Sequence, residues 1–190
     1  MSSNSIPLPE ACQPIAARFT EVEKAKFKVA ADLRINVEKA READLALAEA
    51  QNGDPADPTS SQRLTDCMMR AQLYKNHQAT LEKRQAQVID DGNQVVRLFA
   101  RELRKIGVEH QSKARQKLVA NITAETGAYP NQIESVLAMG QIRAKGEAAA
   151  DVLQIEAHQY EMDTRTSRTP TENWQRLVDL WEDFSDADNE

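Results

Sequence analysis

The sequence predicts an all-α protein with a long antiparallel coiled-coil hairpin followed by shorter helices. Its 190 residues are 41% hydrophobic and 28% charged but only 5% aromatic, and they include six glycines. Helix-forming residues with sparse apolar positions suit extended helices better than a deep globular core. Along two long segments the apolar residues recur at alternating spacings of three and four, which is the pattern of a coiled coil. Prolines and glycines mark the breaks between segments.

The first long helix is expected to follow a flexible N-terminal arm, residues 1–13, which has two prolines, several serines and no periodic apolar pattern. Pro14 can occupy the first helical position, where its missing N–H costs no hydrogen bond. An imperfect heptad begins there, because Lys26 and Asn36 interrupt the apolar seam. The apolar members of the seam are Ile15, Phe19, Val22, Val29, Leu33, Ala40, Ala43 and Leu47.

A linker with two prolines and a glycine, residues 51–58, precedes the second long helix, and Thr59 and Gln62 have the spacing of a capping box. Two helices that each carry an apolar seam and are joined by a short linker are expected to fold back on each other as a hairpin over residues 14–127. Gly92 could mark a turn, but the unbroken spacing favours a continuous helix, in which a glycine costs only ~1 kcal/mol. The second seam consists of Leu64, Cys67, Ala71, Tyr74, Gln78, Leu81, Gln85, Val88, Val95, Phe99 and Ile106.

Two shorter helices are predicted after Gly127, which suits a C-terminal cap. An Ala-rich helix occupies residues 128–168 and begins with Asn131 and Glu134 as a capping pair. Its expected buried stripe is Ile133, Leu137, Gly140, Ala144, Ala148, Val152, Ile155 and Met162. The last helix, residues 169–190, begins with a capping box of Thr169 and Glu172 and ends in an acidic tail.

The last helix carries an aromatic stripe that we predict to bind a partner. The stripe consists of Trp174, Leu177, Val178, Trp181 and Phe184. A helix of this length is marginal alone in water, so the stripe must be buried, either on its own hairpin or on another molecule. Because a thin coiled coil offers little groove to cover two indoles, a contact between subunits is favoured.

A basic face is predicted within residues 97–117, which hold seven basic and two acidic residues in a chain of net charge −6. Helical spacing places Arg97, Arg101, Arg104 and Lys105 together. Such a face could contact phosphates, anionic lipid or an acidic partner. The simpler interpretation is a solvated face that offsets acidic neighbours, since no aromatic residues are interleaved for base stacking.

The sequence predicts no catalytic site, no cofactor and no metal site. It contains no glycine-rich phosphate loop, no GxSxG motif and no Cys–His arrangement. His158 and Glu161 lie one helical turn apart, but a helical metal site needs further carboxylates from partner helices. Asp90 and Asp91 lack the following oxygen ligands of a calcium loop.

The two cysteines and the N-terminus predict a soluble protein in a reducing, cytoplasmic setting. Cys12 and Cys67 form no CxxC motif, and the first residues lack the basic and apolar blocks of a signal peptide. No run approaches the roughly 18 apolar residues that span a bilayer.

One block of the chain has the pattern of a known family. In residues 117–168 an Ala-rich helix ends at a glycine, a short Ser-to-Ala segment follows a turn, and an acidic helix with Ala, Leu and Ile comes next. This block resembles the helix-turn-helix region of small internal virion proteins of short-tailed bacteriophages, although an apolar N-terminal region and a glycine-rich tail are lacking. The matching positions are Gly127, Ser135, Val136, Leu137, Ala138, Glu147, Ala150, Leu153 and Ile155.

The resemblance implies a structural component that is packed inside a capsid near the portal and delivered with the genome. With or without it, the residues predict a non-enzymatic helical structural or adaptor protein that works through oligomeric protein–protein contacts. The alternative is a nucleic-acid-binding adaptor that uses the basic face.

Overall fold

The computed structural model describes residues 7–53, 58–139, 143–162 and 168–189. Over these residues the chain forms a short 3-10 helix, Glu10–Cys12, and five α-helices with no strand. The helices are α1 (Gln13–Gln51), α2 (Pro58–Thr126), α3 (Pro130–Ala138), α4 (Glu147–Glu161) and α5 (Pro170–Asn189). The prediction of an all-α fold is confirmed. The second long helix is continuous through Gly92, as its unbroken apolar spacing predicts, and it also continues through Gly107.

The chain divides into two compact units. Thr20–Asp91 forms the first, which we call the two-helix unit because it consists of parts of α1 and α2. Met1–Phe19 together with Gly92–Glu190 forms the second, which we call the aromatic unit because it holds both tryptophans.

In the two-helix unit, α1 and α2 pack along the predicted seams. The buried residues of α1 recur every seven positions, at Val29, Asn36, Ala43 and Ala50, and those of α2 are Ala71, Leu81 and Val88. The Asn36 side-chain amide donates to the Tyr74 backbone oxygen at 3.1 Å, and Lys75 Nζ lies 3.4 Å from Asp44 Oδ1. Gln85 differs from the prediction, since its polar side chain is exposed rather than in the seam.

In the aromatic unit, the α2 segment beyond Gly92 packs with α4 and α5 around a closed apolar core. The largest side chains with no exposed surface include Phe99, Leu103, Leu153 and Leu177. α3 adds two buried residues, Ile133 and Leu137. Among the described helices, none combines the length and the apolar character needed to cross a membrane.

Two predicted helix ends are confirmed. Gly127 adopts a left-handed φ of 68°, and its N–H donates to the Thr123 oxygen at 2.9 Å, which closes the last turn of α2. At the start of α5, the Glu172 N–H donates to Thr169 Oγ1 at 3.3 Å, and the Thr169 N–H donates to Glu172 Oε2 at 2.8 Å. These reciprocal bonds form a capping box.

Two other predicted caps are wrong because each helix begins earlier at a proline. α3 follows Tyr129, which makes no side-chain capping bond, so Asn131 and Glu134 lie inside the helix. α2 begins before Thr59, so the spacing of Thr59 and Gln62 also falls inside a helix. The fixed φ of proline suits the first helical turn, which moves both starts toward the N-terminus.

The single Ala-rich helix predicted for residues 128–168 is divided into α3 and α4, and this division changes the buried face. Gly146, at a left-handed φ of 81°, precedes α4. Ile133, Leu137 and Ala144 are buried as predicted, but Val152 is 54% exposed, Ile155 is 60% exposed, and Ala148 and Met162 are also exposed. The buried face of α4 is instead Ala150, Leu153, Ala157 and Tyr160. Gly140 lies outside the described residues.

The structure differs from the expectation of a flexible arm over residues 7–13. The Cys12 N–H donates to the Pro9 oxygen at 2.8 Å, and the Cys12 side chain has no exposed surface. Trp181 Nε1 donates to the Pro7 oxygen at 3.2 Å. Composition alone suggested a solvated segment. In the structure the Cys12 thiol is buried as a small apolar group, and the Pro7 carbonyl accepts the indole N–H of Trp181. Residues 1–6 of the predicted arm lie outside the described residues.

Candidate functional site: an aromatic cluster and a charged helix face

The centre of the aromatic unit is a stack of three rings. The indole of Trp174 lies between Phe19, at a centroid distance of 4.3 Å and an interplanar angle of 7°, and Phe99, at 4.4 Å and 26°. Phe19 and Phe99 are both buried. Stacked pairs of this kind contribute about 0.5–1.5 kcal/mol each beyond the burial of their surface.

The remaining residues of the aromatic stripe extend this cluster along α5. Leu177 and Phe184 are buried, whereas Val178 and Trp181 are half-buried. The Phe184 and His110 rings are perpendicular, with centroids 5.2 Å apart at 89°, and the Trp181 ring centroid lies 5.6 Å from that of Phe184. The indole N–H of Trp181 is satisfied by its bond to the N-terminal segment.

The structure packs the predicted partner-binding stripe against its own chain, which is the alternative to the contact between subunits that the sequence favoured. The prediction compared the stripe with a two-helix coiled coil, which has little room for indoles. In the structure, α2 continues to Thr126, and α4 and residues 7–19 supply further walls. Phe19 and Phe99 were on the predicted seams, but nothing in their spacing shows that both meet Trp174.

The predicted basic face is engaged by carboxylates within the chain. Arg101 Nε donates to Glu161 Oε1 at 3.0 Å, and Arg104 Nε lies 3.2 Å from Glu161 Oε2. Lys105 Nζ donates to Glu102 Oε1 at 2.6 Å. Arg97 is half-buried on the same helix. Since three of the four cations already contact carboxylates, no observation favours this face as a nucleic-acid surface.

His158 and Glu161, which the sequence suggested as a metal pair, take part in this ion-pair network. Arg104 Nη1 lies 3.0 Å from His158 Nδ1. Because a guanidinium only donates hydrogen bonds, Nδ1 must be the acceptor. Among the described residues, no group of three or more His, Cys, Asp or Glu side chains is placed to hold a metal ion.

A polar ladder continues from the ion pairs along the contact between α2 and α4. Gln111 Nε2 donates to Asp151 Oδ1 at 2.6 Å, and Gln154 Nε2 donates to Gln111 Oε1 at 3.3 Å. At Gly107 the helices approach so closely that a Cβ would lie 2.8 Å from Gln154 Cγ and 3.2 Å from the Ala150 oxygen. The α4 partners have falling numbers as the α2 numbers rise, so the two helices run antiparallel.

Glu147 ends this ladder and fixes the start of α4. Its carboxylate accepts from the Ala144 N–H at 2.9 Å and from Arg115 Nε at 2.8 Å, while its side chain is only 4% exposed. Burial acts to raise the pKa of Glu147, but the backbone hydrogen bond and the Arg115 guanidinium outweigh burial and hold that pKa below its ordinary value. The carboxylate is therefore ionised and clamps the turn before α4 onto α2.

The buried thiol of Cys12 is not poised for reaction. Burial, assisted by the negative charge of Glu102, raises the pKa of Cys12 to about 11. A thiol with that pKa is protonated at neutral pH and is a poor nucleophile.

The two-helix unit has a feature that the seam analysis missed. Eight large apolar side chains lie outside its buried seam and are 43–70% exposed. They are Phe27, Ile35, Val37 and Leu45 on α1 and Met68, Met69, Leu73 and Ile89 on α2. The sequence held the signal, because apolar residues at positions between the seam members have no partner within a pair of helices.

Comparison of the chain with protein-family models, with curated proteins and with solved structures gives no match.

Proposed function

We propose that the chain is a non-enzymatic helical assembly or adaptor protein, which forms oligomers through the outer faces of its two-helix unit. The observation that carries the proposal is the set of eight exposed apolar side chains on that unit. In the aromatic unit, by contrast, the candidate docking stripe is already covered by the same chain.

In this proposal the two-helix unit is an antiparallel coiled-coil hairpin. Its support is the seven-residue repeat of buried positions on α1 and the contacts of Asn36 with Tyr74 and of Asp44 with Lys75. Asn36 is a buried polar residue in an otherwise apolar seam. A single buried asparagine fixes register in coiled coils at a cost in stability. Asn36 therefore holds the two arms in one alignment.

The exposed side chains lie on helical faces where a further helix can cover them. Phe27 and Leu45 are 18 residues apart, which is five helical turns, so they share one face of α1. Met69 and Leu73 are four residues apart and are neighbours on α2. Methionine suits such a surface because its flexible side chain adapts to a partner.

The available apolar surface is large enough to support association. Full burial of one large apolar side chain is worth about 1.5–3 kcal/mol, so covering eight half-exposed ones is worth on the order of 10 kcal/mol. Association of two chains costs an estimated 4–15 kcal/mol in lost translational and rotational freedom, and the ordering of side chains at the interface adds to this cost. The two terms are comparable, so the proposed association depends on protein concentration.

The resemblance of residues 117–168 to internal virion proteins supplies a setting for this role. A structural component of a capsid works by repeated contacts between identical copies, and the proposed outer faces would provide those contacts. In that setting the chain would act as a virion component rather than as a cytoplasmic adaptor.

The test is the mass of the full-length chain in solution as a function of concentration. We expect the wild type to form oligomers in sedimentation velocity, and we expect Leu73→Asp to shift it toward monomer. Ala79→Asp is the matched control, because it places the same charge at another exposed position of the same helix. A wild type that stays monomeric across the concentration range, or an equal effect of both substitutions, would contradict the proposal.

A further inference from the structure

A groove in the aromatic unit is lined by three lysines and no carboxylate. Its volume is about 530 Å³. Lys113, Lys117 and Lys145 line it, together with His110 and Asn121, and its apolar lining includes Leu118. Lys113 and Lys117 belong to the basic run of residues 97–117 but lie outside its predicted face of Arg97, Arg101, Arg104 and Lys105, and a chain of net charge −6 makes such a local cluster of cations unusual.

The α2 wall of the groove is a regular row. Lys113, Lys117 and Asn121 follow one another at intervals of four residues, which places their side chains on one face of α2. At 1.5 Å per residue, successive members of the row are about 6 Å apart along the helix. The row therefore offers two ammonium groups and one amide at a spacing that suits consecutive anionic groups on one ligand.

Lys145 is brought to this row by the clamp on the turn before α4. Its neighbour Ala144 donates its backbone N–H to Glu147, and Glu147 accepts from Arg115, which lies between Lys113 and Lys117 in the sequence. The Glu147 carboxylate is buried and its bond from Arg115, whose side chain is 46% exposed, is charge-assisted, so the clamp is among the stronger polar contacts of the chain. The third lysine is thus held in place before any ligand arrives.

The charges of these lysines are available. Lys113 has only a loose contact with Glu109, at 4.0 Å and exposed to solvent. Within the part of the chain that the structure describes, no carboxylate lies within ion-pair distance of Lys117 or Lys145. In contrast, Arg101 and Lys105 contact carboxylates at 3.0 Å or less. Three like charges around one groove, two of them with no carboxylate partner among the described residues, favour the binding of an anion.

We propose that this groove binds an oligophosphate, either free or as part of a nucleotide. Lysine is a common phosphate ligand and acts as a point charge, and three lysines match a ligand with several negative charges. The volume lies in the range of small-molecule sites. The groove has no Phe, Tyr or Trp ring on which the bases of a nucleic-acid strand could stack, since the one ring in its lining is that of His110, which packs perpendicular to Phe184.

The first experiment is calorimetric titration of the full-length protein with inorganic triphosphate at low ionic strength. We expect saturable binding that weakens steeply as salt is added. Loss of a hydrogen bond to a charged group predicts about a tenfold weaker affinity for both Lys117→Gln and Lys145→Gln. Lys105→Gln is the matched control, because it removes the same charge from the same helix outside the groove.

A second variant separates the site from diffuse attraction. Glu147→Gln removes a negative charge near the groove, which would strengthen any diffuse attraction of anions, but it also releases the turn that positions Lys145. We expect weaker triphosphate binding, and tighter binding would contradict the positioning of Lys145 by this clamp. Circular dichroism of each variant checks that its helices persist.

The ligand classes are distinguished by parallel titrations with a nucleoside triphosphate and with a single-stranded oligonucleotide. If inorganic and nucleoside triphosphate bind equally well, the groove recognises the phosphates alone. If only the nucleoside triphosphate binds, the natural ligand is a nucleotide. Both results support the proposal. Absence of triphosphate and nucleotide binding by the folded protein, an equal loss in Lys105→Gln, or oligonucleotide binding that triphosphate does not displace would overturn it.

Discussion

Trp174→Ala is the substitution that best separates packing within the chain from binding to a partner. The indole lies between two phenylalanine rings, at centroid distances of 4.3 and 4.4 Å, so its removal leaves both rings without their stacking partner. Truncation of a buried tryptophan costs about 3–5 kcal/mol. Because Trp174 is half-buried, the lower end of that range applies, and we expect the free energy of unfolding to fall by about 3 kcal/mol.

The assay is urea unfolding followed by tryptophan fluorescence. Both tryptophans belong to the aromatic unit, so in each single variant the remaining indole reports the unfolding of that unit. Trp181→Ala is the comparison, since it removes one tilted ring contact and one hydrogen bond to Pro7, and we expect a loss of about 1–2 kcal/mol. The midpoint of the Trp174→Ala transition should therefore be the lower of the two.

A different pattern would refute this reasoning. If Trp174→Ala left the unfolding transition unchanged but lowered the mass of the protein in solution, the indole would be bound to another subunit rather than to Phe19 and Phe99. A loss equal to that of Trp181→Ala would show that the stacked arrangement contributes nothing beyond ordinary burial.

Three further predictions concern the helix contacts. Gly107→Ala should lower the free energy of unfolding by about 1 kcal/mol in urea, because the overlap of the new Cβ with Gln154 outweighs the ~1 kcal/mol gain in helix propensity. Asn36→Leu should raise the thermal stability of the two-helix unit but broaden the mass distribution in sedimentation velocity, because the register-fixing bond to Tyr74 is lost. The folded state lowers the pKa of Glu147, so its carboxylate stabilises the fold at pH values above the ordinary pKa and loses that effect as the pH falls through the lowered value. When the free energy of unfolding is measured across the acid range, Glu147→Gln should therefore show a flatter pH dependence than the wild type.

The long helices could be predicted from the sequence because their signal is periodic and repeated many times. Buried positions at Val29, Ala43, Ala71 and Leu81 follow the predicted seams. The continuity of α2 through Gly92 was predictable because a slip in spacing would have marked a turn there. The helix end at Gly127 was also predictable, because helices commonly end at a residue with left-handed backbone angles and glycine adopts them without strain.

The buried face of α4 could not be predicted by extending the spacing from α3. A break between two helices resets the helical phase, so Val152 and Ile155, which continue the earlier pattern, are exposed. The face that is buried instead includes Ala150 and Leu153, and only the position of Gly146 locates the new start. Spacing is a local property, whereas the direction in which a following helix leaves a turn depends on the surface against which it packs.

The ion pairs between the basic face and Glu161 could not be predicted from the sequence for a different reason. Glu161 is 60 residues from Arg101 in the sequence, and no pattern within either helix shows that they meet. Counting local charge gave the correct excess of basic residues but could not tell which of them had carboxylate partners. The structure divides the basic run into a part that contacts α4 and a part, Lys113 and Lys117, that faces a groove.

The contrast between the two units moves the proposed partner contacts from the last helix to the two-helix unit. Aromatic rings attract attention in a sequence because they carry much apolar surface, yet here the rings of Phe19, Phe99 and Trp174 already stack on one another within the chain. The side chains that still need a cover, such as Phe27 and Leu73, are scattered singly between seam positions. If this assignment is correct, substitutions at Trp174 change stability without changing mass, and substitutions at Leu73 change mass without changing stability. If a substitution at Trp174 lowered the mass, or one at Leu73 lowered the stability and left the mass unchanged, the assembly contact would be assigned to the last helix instead.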